Sequence, residues 1–159
     1  MAGEQRAGSN RVDDVDLQII ALLSQDARRS ARSLAREIKM SPGAVSERVT
    51  RLEESGVIRG YHADVDPAAL GYEMQVVVGL QTDQGPEVTE TIKALLAVPE
   101  VTSVSVVTGT WDLLVVAHVR DQNHLRDVVL SGLWAMQGFR HSETMLVLDQ
   151  HRSSDWPGI

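Results

Sequence analysis

Apolar residues recur at helical spacing through the first third of the chain and at alternate positions through much of the remainder. In "VDDVDLQIIALLSQD" Val15, Ile19, Leu22 and Leu23 fall at i, i+4, i+7 and i+8, the stripe of an amphipathic helix. Asp13, Asp14 and Asp16 stand at its head, where capping and the helix dipole account for three carboxylates better than a metal site does. "RRSARSLAREIKM" carries a second stripe, Ala31, Leu34, Ala35 and Ile38, with Ser30 placed to cap it. A third helix starts at Ser41-Pro42, a cap followed by a proline in the first turn, and stops at Gly56.

That third helix, "SPGAVSERVTRLEESG", divides into two faces. With Val45 as the origin and about 100° per residue, Val45, Val49 and Leu52 cluster near 10°. Gly43, Ser46, Glu47, Thr50 and Arg51 then lie at about 160°, 100°, 200°, 140° and 240°. The outward half therefore carries short hydrogen-bonding groups and one fork-shaped cation, a set that matches base edges in a major groove. With the tight Lys39–Met40–Ser41 connection, the three helices predict a helix-turn-helix. "VIRGYHADV" alternates loosely and is read as a following strand or wing, with Arg59 and His62 within reach of phosphate.

After a turn-rich connector, "DVDPAALGY", the pattern changes. "EMQVVVGLQ" puts Met74, Val76, Val78 and Leu80 on one strand face. "GPEVTETIKALLAVPE" has Val88, Ile92, Leu95 and Leu96 at helical spacing, and "VTSVSVVTGTWDLLVVAHVRD" reads as two strands about a turn near Gly109. "QNHLRDVVLSGLWAMQGF" is helical through Leu125, Val129, Leu133 and Met136, and "RHSETMLVLDQ" is a closing strand. The expected fold class is α+β: an N-terminal winged helix-turn-helix plus a C-terminal ferredoxin-like βαββαβ (ACT-like) domain. The expected division is a disordered tail over 1–11, the DNA-binding unit over 12–62, a linker over 63–72, the second domain over 73–150 and a tail over 151–159.

Composition sharpens this picture at a few points. Aromatic residues make up 4% of the 159, so the core must come from Val, Leu, Ile and Ala, and the absence of cysteine removes disulfides and thiolate metal sites. No apolar run is long enough to span a bilayer and no secretory signal is visible, so the expected location is cytoplasmic, at the nucleoid. The net charge of −7 is unevenly spread. Residues 28–51 hold seven basic residues (Arg28, Arg29, Arg32, Arg36, Lys39, Arg48, Arg51) against two acidic ones. Such a patch on an acidic protein engages phosphates while the rest repels them.

Five histidines (His62, His118, His124, His141, His151) are scattered without ligand spacing, and no metal site is expected. No nucleophile motif or cofactor fingerprint occurs, so the expectation is a non-enzyme without cofactor. The glycine of "VTGTWD" is read as a hairpin turn and not as a phosphate loop.

The segment from Val12 to Gln150 resembles the Lrp/AsnC, or feast/famine, regulators. The resemblance rests on Asp13…Asp16…Ile19, "DARRS", "LAREIKMS", "RVTRLEESGVIRGY", "VDPAALG", "VTGTWDLLVVAHVRD" and "SETMLVL". It implies a transcriptional regulator that binds double-stranded operator DNA, senses an amino acid, and assembles from homodimers into a higher oligomer, an octamer in many members. Ser41, Ser46, Glu47, Thr50 and Arg51 are then expected near bases. Arg28, Arg29, Ser30, Arg32 and Arg48 are expected near phosphate. Glu47 and Arg51 also stand at i,i+4 spacing for a weak intrahelical pair.

The resemblance further places an effector pocket at Gly109, Thr110, Trp111 and Asp112, with Ser142 and Thr144 adding hydrogen bonds from the last strand. Backbone N–H groups at the glycine turn suit a carboxylate, and Asp112 suits an ammonium. Trp111 stands where the family more often has a smaller aromatic; its alternative role is packing at an oligomer seam. Two other readings compete. A siroheme-type tetrapyrrole decarboxylase shares the two-domain outline, with adjacent Arg140–His141 as its hint, but has no need of the basic 28–51 face. A sensing partner that has lost DNA binding is opposed by the intact Ser41–Gly56 helix.

Overall fold

The computed structural model describes residues 12–82, 88–128 and 139–151. The expected tails over 1–11 and 152–159, and the helical positions Val129, Leu133 and Met136, lie outside them. The chain divides into two compact units, Val65–Gln150 forming the second and the residues up to Asp64, with His151, belonging to the first.

In the first unit α1 spans Asp14–Gln25, α2 Ala31–Ile38 and α3 Pro42–Glu54. α2 and α3 start after the serines their sequence nominates, and α1 starts within its run of aspartates. Asp13 caps α1 by a reciprocal capping box with Asp16, and Ser30 and Ser41 accept hydrogen bonds from the N–H of Ser33 and Ala44. Ile19, Leu23, Leu34, Ala35, Val45 and Leu52 form the core, with Val15, Ile38 and Val49 packed against it. α2 ends on Lys39 in the left-handed conformation (φ 57°), and Met40 N–H closes onto Ala35 O at 3.0 Å. That tight reversal aims α3 across α2. Gly56, at φ +74°, takes the corresponding position after α3.

The segment read as a strand or wing forms no strand: residues 55–73 hold turns, bends, irregular backbone and a short 3₁₀ helix, Ala68–Leu70. A strand needs a ladder partner, and the described residues of this unit supply no other strand. Its order comes instead from Ile58, whose N–H bonds Leu52 O while its side chain joins the core. Tyr61 adds a hydroxyl bond to Glu53 at 2.7 Å. Burial first, and then Glu53, push the Tyr61 phenol up to about 12. Because the folded value is raised, this contribution to stability is present below the ordinary tyrosine value near 10 and fades as pH rises towards 12.

The second unit runs β1 (Met74–Thr82), α4 (Val88–Leu96), β2 (Val101–Val106), β3 (Leu113–Val119), α5 (Gln122–Val128) and β4 (Phe139–Leu146). The strands form one antiparallel sheet in the order β2-β3-β1-β4, the ferredoxin-like arrangement. Strict alternation decides its faces: Val76, Val78 and Leu80 of β1 and Leu113, Val115 and Ala117 of β3 are buried together with Leu95 of α4. Val88, Ile92 and Leu125 of the helices pack on this face. Leu96, expected in the helical stripe, points outward, one step of the wheel beyond buried Leu95.

Candidate nucleic-acid interface and effector cleft

On α3, Val45 and Leu52 are fully buried, while Gly43, Ser46, Glu47, Thr50 and Arg51 are exposed. A Cβ built on Gly43 meets nothing within 4 Å, so the front of the helix is open to close approach. The Ser30 and Ser41 hydroxyl oxygens are occupied as caps, although each hydroxyl keeps its proton to donate.

The two arginines of α3 have partners that the intrahelical reading did not foresee. Arg48 Nη1 donates to Asp13 Oδ2 (2.7 Å) and Asp16 Oδ1 (2.8 Å), and Arg51 Nη2 donates to both Asp16 oxygens (2.9 and 2.8 Å). Asp16 is 1% exposed, so its charge is held inside by two guanidiniums and by the N–H of Asp13. The Arg51 contact thus runs across to the head of α1 and not along α3 to Glu47. The hydrogen bond from Asp16 N–H, followed by Arg48, holds the Asp13 carboxyl below its ordinary range, and Asp13 and Asp16 raise Arg48 in return. The sequence did carry a signal, since Asp13/Asp16 and Arg48/Arg51 are two like-charged pairs with the same three-residue spacing.

Arg29 is paired with Glu37 on α2. Among the described residues Arg28, Arg32, Arg36, Lys39 and Arg59 are exposed cations with no ion-pair partner.

In the second unit the 107–112 turn is pinned to β1. Asp112 N–H bonds Leu80 O (2.9 Å), Val107 N–H bonds Asp112 O (3.0 Å), and Asp112 Oδ2 accepts from Thr82 N–H (2.9 Å). Gln81 Nε2 donates to Thr110 O at 2.8 Å, and Gly109 adopts φ +118°. Gln81, Thr82, Gly109, Thr110, Asp112 and Arg140 line an open cleft of about 500 Å³.

Arg140, Gln81 and Thr82 were not nominated for this site. β1 pairs Gln81 with His141 but Thr82 with Phe139, so Arg140 is the extra residue of a bulge, a device that re-aims one side chain. Residue spacing does not reveal a bulge. Three nominated residues are not among the described residues that line the cleft. Ser142 and Thr144 lie opposite Leu80 and Val78 and are not among the described residues that line the cleft. Trp111 leaves the cleft to lie over Gly79, where an added Cβ would stand 2.5 Å from its ring, and it stacks on His141 (5.6 Å, 18°). Arg140 and His141, adjacent in sequence, are thereby separated in role.

Among the described residues no group of three or more His, Asp or Glu could hold a metal. His124 is instead fixed between neighbours: Arg120 N–H donates to its Nδ1 (3.1 Å), which leaves Nε2–H to donate to Glu100 (3.0 Å).

A helix presented by its neighbours with a polar face outward, beside unpaired cations, and a separate βαββαβ unit with a polar cleft together define a DNA-binding regulator joined to a ligand-binding domain. The comparisons name the group: the chain belongs to the Lrp/AsnC family of transcriptional regulators, its residues 12–59 matching the winged helix-turn-helix DNA-binding model and 75–157 the Lrp/AsnC ligand binding domain. It is 32% identical to the HTH-type transcriptional regulator Ptr1 of Methanocaldococcus jannaschii, over 86% of this chain and 92% of that protein. It is likewise 32% identical to the HTH-type regulator AldR of Mycolicibacterium smegmatis, over 97% and 95%. Among solved structures it resembles a feast or famine regulatory protein from M. tuberculosis complexed with L-methionine, with a TM-score of 0.82, 26% identity, and 90% and 96% coverage.

Proposed function

We propose that this regulator binds its operator through the outward face of α3 and that an amino acid held in the 107–112 cleft biases its DNA affinity or its assembly. The observation that carries the first half is the exposure of Ser46, Glu47 and Thr50 on a helix whose opposite side is buried. Ser41 stands at the front of the same helix. Arg28, Arg32, Arg36, Lys39 and Arg59 supply phosphate contacts. Arg29, and above all Arg48 and Arg51, are reassigned: committed to carboxylates, they position helices before they touch DNA. An Arg32→Ala variant is expected to weaken operator and random DNA alike and to lower the salt slope by about one. Fluorescence anisotropy at several salt concentrations reads this directly.

The L-methionine complex of the M. tuberculosis relative supports an amino-acid effector. Asp112 and Arg140 both line the cleft, and their opposite charges support a zwitterionic ligand. Asp112→Asn keeps an oxygen for Thr82 N–H but removes the charge. Operator affinity is then expected to lose its dependence on the amino acid, while ligand-free binding remains. Retained ligand dependence in a gel-shift titration contradicts the pocket.

We further infer a cytoplasmic homo-oligomer built from dimers, an octamer by family resemblance. Among the described residues no helix is long and apolar enough to cross a membrane. The decarboxylase reading is disfavoured by relatives named as transcriptional regulators.

A further inference from the structure

Resting on the reading of α3 as the helix that meets operator DNA, we propose that Glu47 reads the base sequence by accepting a hydrogen bond from the N4 amino group of a cytosine. Glu47 is exposed on the outward face of α3, and among the described residues its side chain has neither a hydrogen bond nor an ion pair. Arg48, Arg51 and Glu53 of the same helix are engaged elsewhere. The arginines are drawn to Asp13 and Asp16, and Glu53 accepts from the Tyr61 hydroxyl.

The clamp on Asp16 is what uncovers this carboxylate. On a helix, side chains three and four positions apart are neighbours, and those of Glu47 are Gly43, Ala44, Thr50 and Arg51. Of these only Arg51 carries a charge to neutralise a glutamate, and both oxygens of buried Asp16 hold it through Nη2. Helical side chains lean towards the N-terminus. That direction carries Glu47 over Gly43, where a Cβ would meet nothing within 4 Å. The residue one turn before Glu47 therefore puts no side chain between the carboxylate and a base edge.

Chemistry then selects the base. An ionised carboxylate accepts hydrogen bonds and cannot donate one. In the major groove guanine offers only the acceptors N7 and O6, and thymine offers O4 and a methyl group. Adenine has a donor at N6, but the acceptor N7 beside it repels a carboxylate. Cytosine presents its N4 amino group without that neighbour. On any other sequence Glu47 has no donor and faces the phosphate field unpaired, so wrong sites are disfavoured as well as the right one favoured. A glutamine at the same place has an acceptor and a donor, the combination that matches adenine N6 and N7.

The test is selection of bound sequences from a library of random DNA duplexes by the full chain, by Glu47→Gln and by Thr50→Ala, followed by anisotropy titration of the selected duplexes. The expected result is a C·G pair shared by the wild-type sequences and replaced by A·T at the same position in those chosen by Glu47→Gln. Changing that C·G to A·T in the wild-type duplex should weaken wild-type binding about tenfold or more and strengthen binding by Glu47→Gln. Thr50→Ala should keep the C·G pair and relax a neighbouring position. A Glu47→Gln selection identical to wild type, beside an altered one for Thr50→Ala, overturns the cytosine assignment and leaves α3 as the reading helix. A Glu47→Gln switch at any pair other than C·G does the same. Selections that neither variant alters, or that enrich no shared sequence, overturn both.

Discussion

The double variant Arg48→Met/Arg51→Met is expected to destabilise the N-terminal unit by about 3–5 kcal/mol, because it leaves Asp16 buried without a cation. Methionine keeps much of the arginine stem, so lost packing contributes little. The direction of the deletion matters. Asp16→Asn should cost less, since Arg51 is the more exposed partner and its released guanidinium can reach water. Adding Asp16→Leu to the double variant should restore part of the loss, as a well-packed apolar residue does in place of a buried charge cluster. In a unit of this size even 3 kcal/mol lowers the melting temperature by more than about 10 °C. A melting temperature unchanged in the double variant, with operator affinity alone reduced, contradicts the clamp and returns both arginines to the DNA face. Acid acts on the same cluster. The Asp13 carboxyl is held below its ordinary range, so its contribution is present above that range and is lost as pH falls through the lower folded value.

The second large effect is on recognition. Glu47→Ala/Thr50→Ala removes two exposed groups one turn apart on α3 and touches nothing in the core. Each base contact of this kind discriminates by about 1–3 kcal/mol. The pair is therefore expected to reduce preference for operator over scrambled DNA by roughly 10²-fold or more, at an unchanged melting temperature. Affinity for scrambled DNA should hardly fall, and it can rise, because one carboxylate has left a phosphate-lined surface. Parallel anisotropy titrations of the two DNAs give the ratio. A uniform loss on both sequences contradicts a base-reading role.

These two cases show where the sequence was transparent and where it was not. The burial of Val45 and Leu52 and the exposure of Ser46, Glu47 and Thr50 follow from periodicity within one helix. So do the caps at Asp13, Ser30 and Ser41, and the alternation of Val76, Val78 and Leu80 in β1. The destination of Arg51 depends on how α1 packs against α3, which no single-element pattern contains. The absence of a wing strand is also a pairing question: "VIRGYHADV" has strand-like residues, but a strand exists only beside another. In the second unit β4 was recognisable as a strand. Which of its residues meet the cleft depends on register, and the bulge shifts that register by one at Arg140. Ser142 and Thr144 pair with Leu80 and Val78 in the regular part of the ladder, and Trp111 lies over Gly79, a space that only the folded sheet reveals.

The chain contains no cysteine, so single-cysteine probes report cleanly on the surface that meets DNA. Ser46→Cys and Thr50→Cys, each carrying a short photo-crosslinker, should form adducts with bases inside the operator, and Glu90→Cys on α4 should form none. Crosslinks absent from positions 46 and 50, while the labelled proteins still bind the operator, would show that α3 presents this face to something other than the groove.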